Sequence, residues 1–247
     1  MSLFKSLDVA FRDFLLRRGY AVMRIRNPNY YLGRRIKLLG SYGIDLILDV
    51  GANTGQYAAR MRGIGYAGEI VSFEPMRAAF EQLAGNARGD AKWSCRDYAL
   101  GDTESELHIH VSGNSVSSSI LPMLPEHEKH APASKVSNDE TIRVKRLDAL
   151  PDWNAWKEKK GIWLKIDVQG YEDHVLNGAS GCLDKVAALQ LELSLRPLYS
   201  NQLTLIPMLE RLDELGFDPI AFEPGFTDKQ SGELLQVDGI FRNRRMR

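Results

Sequence analysis

The sequence predicts an α/β protein whose mostly parallel sheet is covered by helices on both faces. From residue 46 onward, short apolar runs of strand length alternate with stretches of helical period. Three of these runs close on an acidic residue or a glycine turn, at Asp49-Val50-Gly51, Glu74-Pro75 and Asp167. The composition, 44% hydrophobic and 26% charged over 247 residues, is that of a sizeable globular domain and excludes a disordered chain.

Each element follows from its local pattern. Phe4, Leu7, Phe11, Phe14 and Leu15 recur at helical spacing, so residues 3–18 read as an amphipathic helix. A loop around Asn27-Pro28-Asn29 leads to a second helix over 33–42. Strands are expected at 46–50, 69–73, 91–95, 106–111, 141–147, 162–166 and 186–195, with a terminal hairpin of 218–222 and 234–241. Helices are expected at 56–62, 76–86, 171–183 and 201–216. The Ser- and Pro-rich stretch 112–140 has no clear period and reads as a long loop or lid. No linker or internal repeat divides the chain, so residues 1–44 read as a helical extension and 45–247 as one domain.

The balanced net charge conceals an asymmetry. Residues 1–37 hold nine basic side chains against Asp8 and Asp13, and the last six residues hold four arginines and no acid, so the body is acidic. Basic ends of this kind suit a nucleic acid, an anionic membrane surface or a second subunit, and equally a solvated helix face and a frayed tail. No apolar run is long enough to span a bilayer, and the N-terminal helix is interrupted by charges, unlike a secretory signal. Two cysteines form no disulfide framework, which makes the cytoplasm the default location.

The chemistry concentrates at strand ends, where open α/β sheets bind ligands. In LDVGANTGQY, residues 48–57, Gly51 and Gly55 occupy the turn between a strand and a helix, where glycine permits positive φ and close approach. The turn lacks both the GxGxxG dinucleotide pattern and the GK[ST] of a phosphate loop. Glu74 ends the second strand, 25 residues after Asp49, where a carboxylate can accept from both hydroxyls of a ribose. Asp97, in Arg96-Asp97-Tyr98-Ala99, is placed to accept from an adenine amine, or is a surface acid beside a turn. The implied ligand has an adenosine end and no pyrophosphate.

With these residues in hand, the chain resembles the FkbM-type family of S-adenosylmethionine-dependent methyltransferases. DVGANTGQY, SFEP, ALGD at 99–102, SSS at 117–119, LQLELSLRPLY at 189–199 and above all LKIDVQGYEDHVLNGA at 164–179 carry the resemblance, over roughly residues 45–225. It implies a Rossmann-like class I methyltransferase fold, seven-stranded with an antiparallel last strand. It also implies methyl transfer from S-adenosyl-L-methionine to a hydroxyl, often on a sugar or natural product. Asp49, Gly51, Asn53, Gly55 and Glu74 would hold the cofactor, with Asp97 to Ala99 near adenine. Glu172, Ser118 and Tyr199 are the candidate acceptor contacts.

A sugar hydroxyl needs a base or metal to draw off its proton. Alternation puts Lys165 and Asp167 on one face of the fourth central strand, with Asp167 at its end. Asp167 is therefore the candidate general base, with Lys165 tuning it; the structural alternative is a pair that anchors the sheet edge. Glu192, an acid inside an apolar strand, is expected to pair with Lys165 or to face the substrate. His174 is a reserve base. No ligand motif supports a divalent metal: EHEKH, 126–130, has Ala131 where a zinc helix needs histidine, and His108 and His110 lack a third ligand. Two further readings stand beside O-methylation: a nucleic-acid methyltransferase, against which the acidic body argues, and a cofactor-binding module without chemistry. The partner expected is a small-molecule or glycan acceptor, with a membrane or homodimer contact open to the N-terminal helix.

Overall fold

The computed structural model describes residues 11, 14–20, 27 and 30–246. Most of the helix expected over 3–18, and Pro28 and Asn29 of the following loop, lie outside the described residues. The chain divides into two compact units, Met1–Ser41 and Tyr42–Arg247. In the first, helix α1 spans Tyr31–Ser41.

The second unit carries the chemistry. A seven-stranded sheet has the order β3-β2-β1-β7-β8-β10-β9. Its strands are β1 (Leu46–Val50), β2 (Glu69–Phe73), β3 (Trp93–Arg96), β7 (Ile162–Ile166), β8 (Val186–Ser194), β9 (Phe217–Pro224) and β10 (Gln236–Asn243). β1, β2, β3, β7 and β8 are mutually parallel, and β10 runs antiparallel between β8 and β9. β1 and β7 are buried at every position, which is why they read as mainly apolar runs, broken only by Asp49 and Lys165, rather than alternating ones. Helices α2 (Gln56–Gly63), α3 (Arg77–Ala87), α6 (Glu172–Gly178) and α7 (Leu205–Glu214) connect the strands, and the short helix α5 spans Trp153–Trp156. The largest core cluster packs Leu46, Leu48, Phe73, Leu164 and Leu189 of the sheet with Val175, Leu176, Met208 and Leu212 of α6 and α7.

Two expectations are corrected. The stretch 112–140 is not one irregular lid: it contains helix α4 (Pro125–His130) and the first half of β6 (Val136–Lys145). β6 pairs antiparallel with β5 (Ser105–Ser112) and parallel with β4 (Ala99–Leu100), making a second, three-stranded sheet. Residues 137–141 are polar on both faces, so their strand character comes from backbone pairing with β5 and not from alternation. The helix expected over 171–183 stops at Gly178, where a Cβ would lie 1.8 Å from the Gly101 carbonyl oxygen.

Candidate active site

Parallel neighbours bring the carboxyl ends of β1, β2, β7 and β8 to one edge. The turn after β1 docks on β2 through the amides of Gly51 and Ala52, which donate to the Phe73 carbonyl at 3.1 and 3.0 Å. Gly51 has φ 72°, and a Cβ there would lie 1.9 Å from the Asp167 carbonyl oxygen. Gly55 has φ 91°, and a Cβ there would lie 2.8 Å from the Trp93 ring. Both glycines are thus required by close approach of the chain's own atoms, a reason different from ligand approach. Asn53 takes the left-handed region at φ 47°, which asparagine tolerates better than most residues.

Glu74 is 3% exposed and sits on two backbone amides, accepting from Asn53 at 2.8 Å and Met76 at 2.9 Å. Burial pushes its carboxyl up to about 7; the two amides and Lys165 oppose that rise, and Asp49 adds to it. A carboxylate has about four lone-pair sites, so spare acceptor capacity remains beside the turn. A buried acid with unfilled acceptor sites is what a vicinal diol would satisfy, and the residues fit the nucleoside end of S-adenosylmethionine.

A polar row crosses one face of the central strands. Register sets Ser72, Asp49, Lys165 and Gln190 side by side. The Trp93 indole donates to the Ser72 hydroxyl at 3.0 Å, which donates to Asp49 Oδ2 at 3.2 Å. Asp49 Oδ1 receives no well-directed hydrogen bond but lies 3.1 Å from the Lys165 ammonium. Lys165 also donates to the Gly51 carbonyl at 3.0 Å, lies 3.6 Å from Asp167 Oδ2 and sits 5.5 Å from the centre of the Tyr57 ring. Burial would lower the Lys165 pKa, yet Asp49 and Asp167 outweigh it and hold the group well above its ordinary value. The pair thus anchors the sheet edge as well as meeting Asp167, so the two alternatives for Lys165 coexist.

Asp167 stands at the open end of this row, its side chain 38% exposed where Lys165 is 7% and Asp49 0% exposed. Its Oδ1 accepts from the Gln169 amide at 2.9 Å. The same Gln169 nitrogen donates to Glu192 Oε2 at 2.6 Å, and the Gln236 amide of β10 donates to that oxygen at 2.8 Å. Glu192 therefore pairs with two glutamines; the direct ion pair with Lys165 does not form. Burial raises the Glu192 carboxyl well above the usual range, reinforced by Asp167, Asp238 and Glu172 and opposed by Lys165.

The serine-rich loop fastens over both halves of the edge. The Asn53 amide donates to Ser115 Oγ at 3.2 Å, Ser119 Oγ donates to the Gln169 carbonyl at 2.6 Å, and the Tyr199 hydroxyl lies 3.0 Å from the Ser117 carbonyl. Ser118 itself is buried and accepts from the Ser112 amide at 3.0 Å. Tyr199 is fully buried, and burial raises its hydroxyl pKa far above the ordinary value. Glu172 is buried as well, its Oε1 accepting from the amides of Val168 and Gly170 at 3.1 Å each, so it braces the turn after β7. These three expected acceptor contacts all have partners within the protein.

The other candidates lie apart from this cluster. Asp97 is exposed and pairs with Arg143 at 2.7 Å, whereas Ala99 is buried. His174 bonds Asp102 at 2.8 Å and stacks on Tyr171. His110 pairs with Asp139, and His108 lies 3.3 Å from the Thr141 hydroxyl. Among the described residues no three His, Cys, Asp or Glu side chains group as metal ligands. Sequence reasoning missed Gln169 and Gln236; an amide two residues beyond a strand-end acid was the available signal for the first.

Seven strands in this order, with one reversed strand inserted second from the edge, make a Rossmann-like α/β sheet whose polar cluster lies at the carboxyl ends, where such folds bind ligands. The chain belongs to the FkbM methyltransferase family: residues 49–219 match the methyltransferase FkbM domain. A relative from Sinorhizobium fredii, the 2-O-methyltransferase NoeI, is 25% identical over 174 residues, 68% of this chain and 70% of that protein. Similar solved structures include the magnesium protoporphyrin IX methyltransferase of Synechocystis with bound S-adenosylmethionine. It has 9% identity and TM-score 0.44, covering 85% of this chain and 77% of that one. TehB from Haemophilus influenzae also has 9% identity and TM-score 0.44, covering 85% and 62%. No helix among the described residues is long and apolar enough to cross a membrane.

Proposed function

We propose that the chain is an O-methyltransferase acting on a hydroxyl of a small acceptor, a sugar or a glycosylated lipid or natural product. The observation that carries this reading is Asp167, a half-exposed carboxylate ending β7 among buried neighbours and held at both oxygens. Bound S-adenosylmethionine supplies an electrophilic methyl group on a positively charged sulfur. Around it, Glu74, Asn53 and the glycine turn hold the nucleoside end. The acidic edge of Asp49, Glu74 and Asp167 favours a cation over a polyanionic dinucleotide.

Asp167 accepts the hydroxyl proton, and Lys165 balances its charge from beneath. Orienting the hydroxyl in line with the reacting carbon supplies the larger share of the acceleration. The relative of known 2-O specificity supports oxygen as the atom methylated.

Asp167→Asn keeps the shape and removes the base. It is expected to lower turnover by roughly 10²–10⁴-fold while calorimetry shows nearly unchanged S-adenosylmethionine affinity. A methyl-release assay over a panel of sugars and glycolipids finds the acceptor class. Absence of heat with S-adenosylmethionine overturns the reading, and undiminished turnover in Asp167→Asn removes Asp167 as base.

A further inference from the structure

Gln169 is the least expected member of the cluster. It holds φ 55°, a conformation unfavourable for a non-glycine residue that persists where surroundings over-determine it. The surroundings do so here. The amide turns its nitrogen to the two acids and its oxygen to the Tyr199 hydroxyl, 2.8 Å away. The two protons of one NH2 group then serve two carboxyls, Asp167 at 2.9 Å and Glu192 at 2.6 Å. Ser119 pins the Gln169 backbone carbonyl, and Tyr199 is packed against the His127 ring at 5.3 Å.

We propose that Gln169 is the positioning residue of the transfer step: its amide, gripped by Tyr199, fixes the plane of the Asp167 carboxylate and couples Asp167 to Glu192. The role rests on the O-methyltransferase reading for its purpose, though not for its geometry. Two acids in contact with one amide are told apart by their surroundings. Glu192 is walled by Asp238 and Gln236 of β10, Glu172 of α6 and Tyr199, and burial favours its protonated form. Asp167 has Lys165 below it and Asp49 beyond, and opens to solvent. Burial thus favours the neutral form of Glu192, and Asp167, open to solvent at the end of the row, is the member placed to act as base.

Asp and Glu carboxyl carbons labelled with 13C, assigned through Asp167→Asn and Glu192→Gln, report both groups by NMR over about pH 2 to 9. Gln169→Met keeps the side-chain length and removes the donor. It is expected to raise the Asp167 midpoint by about half a unit to one unit, the size of one lost hydrogen bond. Tyr199→Phe, which leaves Gln169 in place but loosens its amide, is expected to move Asp167 the same way by less. Restoring a donor with Gln169→His returns the midpoint part of the way. An Asp167 midpoint unmoved in folded Gln169→Met overturns the proposal. If that variant does not fold, an unmoved midpoint in Tyr199→Phe does so instead. Calorimetry of the same samples with S-adenosylmethionine separates the two claims: a wild type that binds none sinks the functional reading, whereas normal binding with an unmoved Asp167 sinks this one alone.

Discussion

At the tips of β1 and β2 most donors are backbone amides, whereas at the tips of β7 and β8 they are side chains. Glu74 is held by the amides of Asn53 and Met76, and the turn itself hangs from the Phe73 carbonyl. Asp167 and Glu192 are held by Gln169, Gln236 and the Lys165 ammonium. A backbone-built cradle tolerates changes of side chain but not the addition of a Cβ. A side-chain cluster has the opposite sensitivity, and it can be re-tuned one residue at a time without disturbing the cradle beside it.

The sharpest way to break this contrast is Gly51→Ala. Its methyl would lie 1.9 Å from the Asp167 carbonyl oxygen at φ 72°, so both halves lose their common wall. A loss of about 3 kcal/mol or more in urea denaturation is expected, together with loss of cofactor binding. Next in size is Glu74→Gln. Burial brings Glu74 up to about 7, so wild-type affinity for methylthioadenosine, a cofactor fragment without titratable amino-acid groups, should rise as pH climbs through that value. The variant should bind on the order of tenfold more weakly at pH 8 and lose this pH dependence in calorimetry.

Glu172→Gln tests the other half. Burial carries this carboxyl from 4.5 up to about 7, against the pull of the Gly170 and Val168 amides. A carboxyl raised in the folded state adds stability below its unfolded value, and that contribution is lost as pH rises through its folded value. Wild-type stability should therefore fall between about pH 4.5 and 7, and the variant should flatten part of that fall in denaturation series. The smallest effect belongs to Ser115→Ala, which removes one hydrogen bond to Asn53 and should cost about 1 kcal/mol in the same assay.

The same contrast explains what the sequence made legible. The bounds of β1, β2 and β7 were readable because buried parallel strands are mainly apolar runs, here closed by a glycine turn or an acid. Gly51, Gly55 and Glu74 stood out because the cradle is contiguous, although the two glycines answer to Asp167 and Trp93 rather than to a ligand. Gln169 and Gln236 were hidden because their meaning depends on Glu192 and Tyr199, which reach the cluster from other strands and loops. β6 was shortened in the reading because Ser137 to Thr141 show polar side chains on both faces, and only pairing with β5 reveals them as a strand.

The reversed strand has a consequence for how the molecule assembles. β9 reaches the sheet only through β10, which pairs with β8 on its other side. Glu192 gains its second glutamine through that pairing, since Gln236 opens β10. Such long-range closure is slow relative to local helix formation. The acidic pair is therefore complete only when the C-terminal hairpin has docked on β8, whereas the turn after β1 hangs from β2 alone.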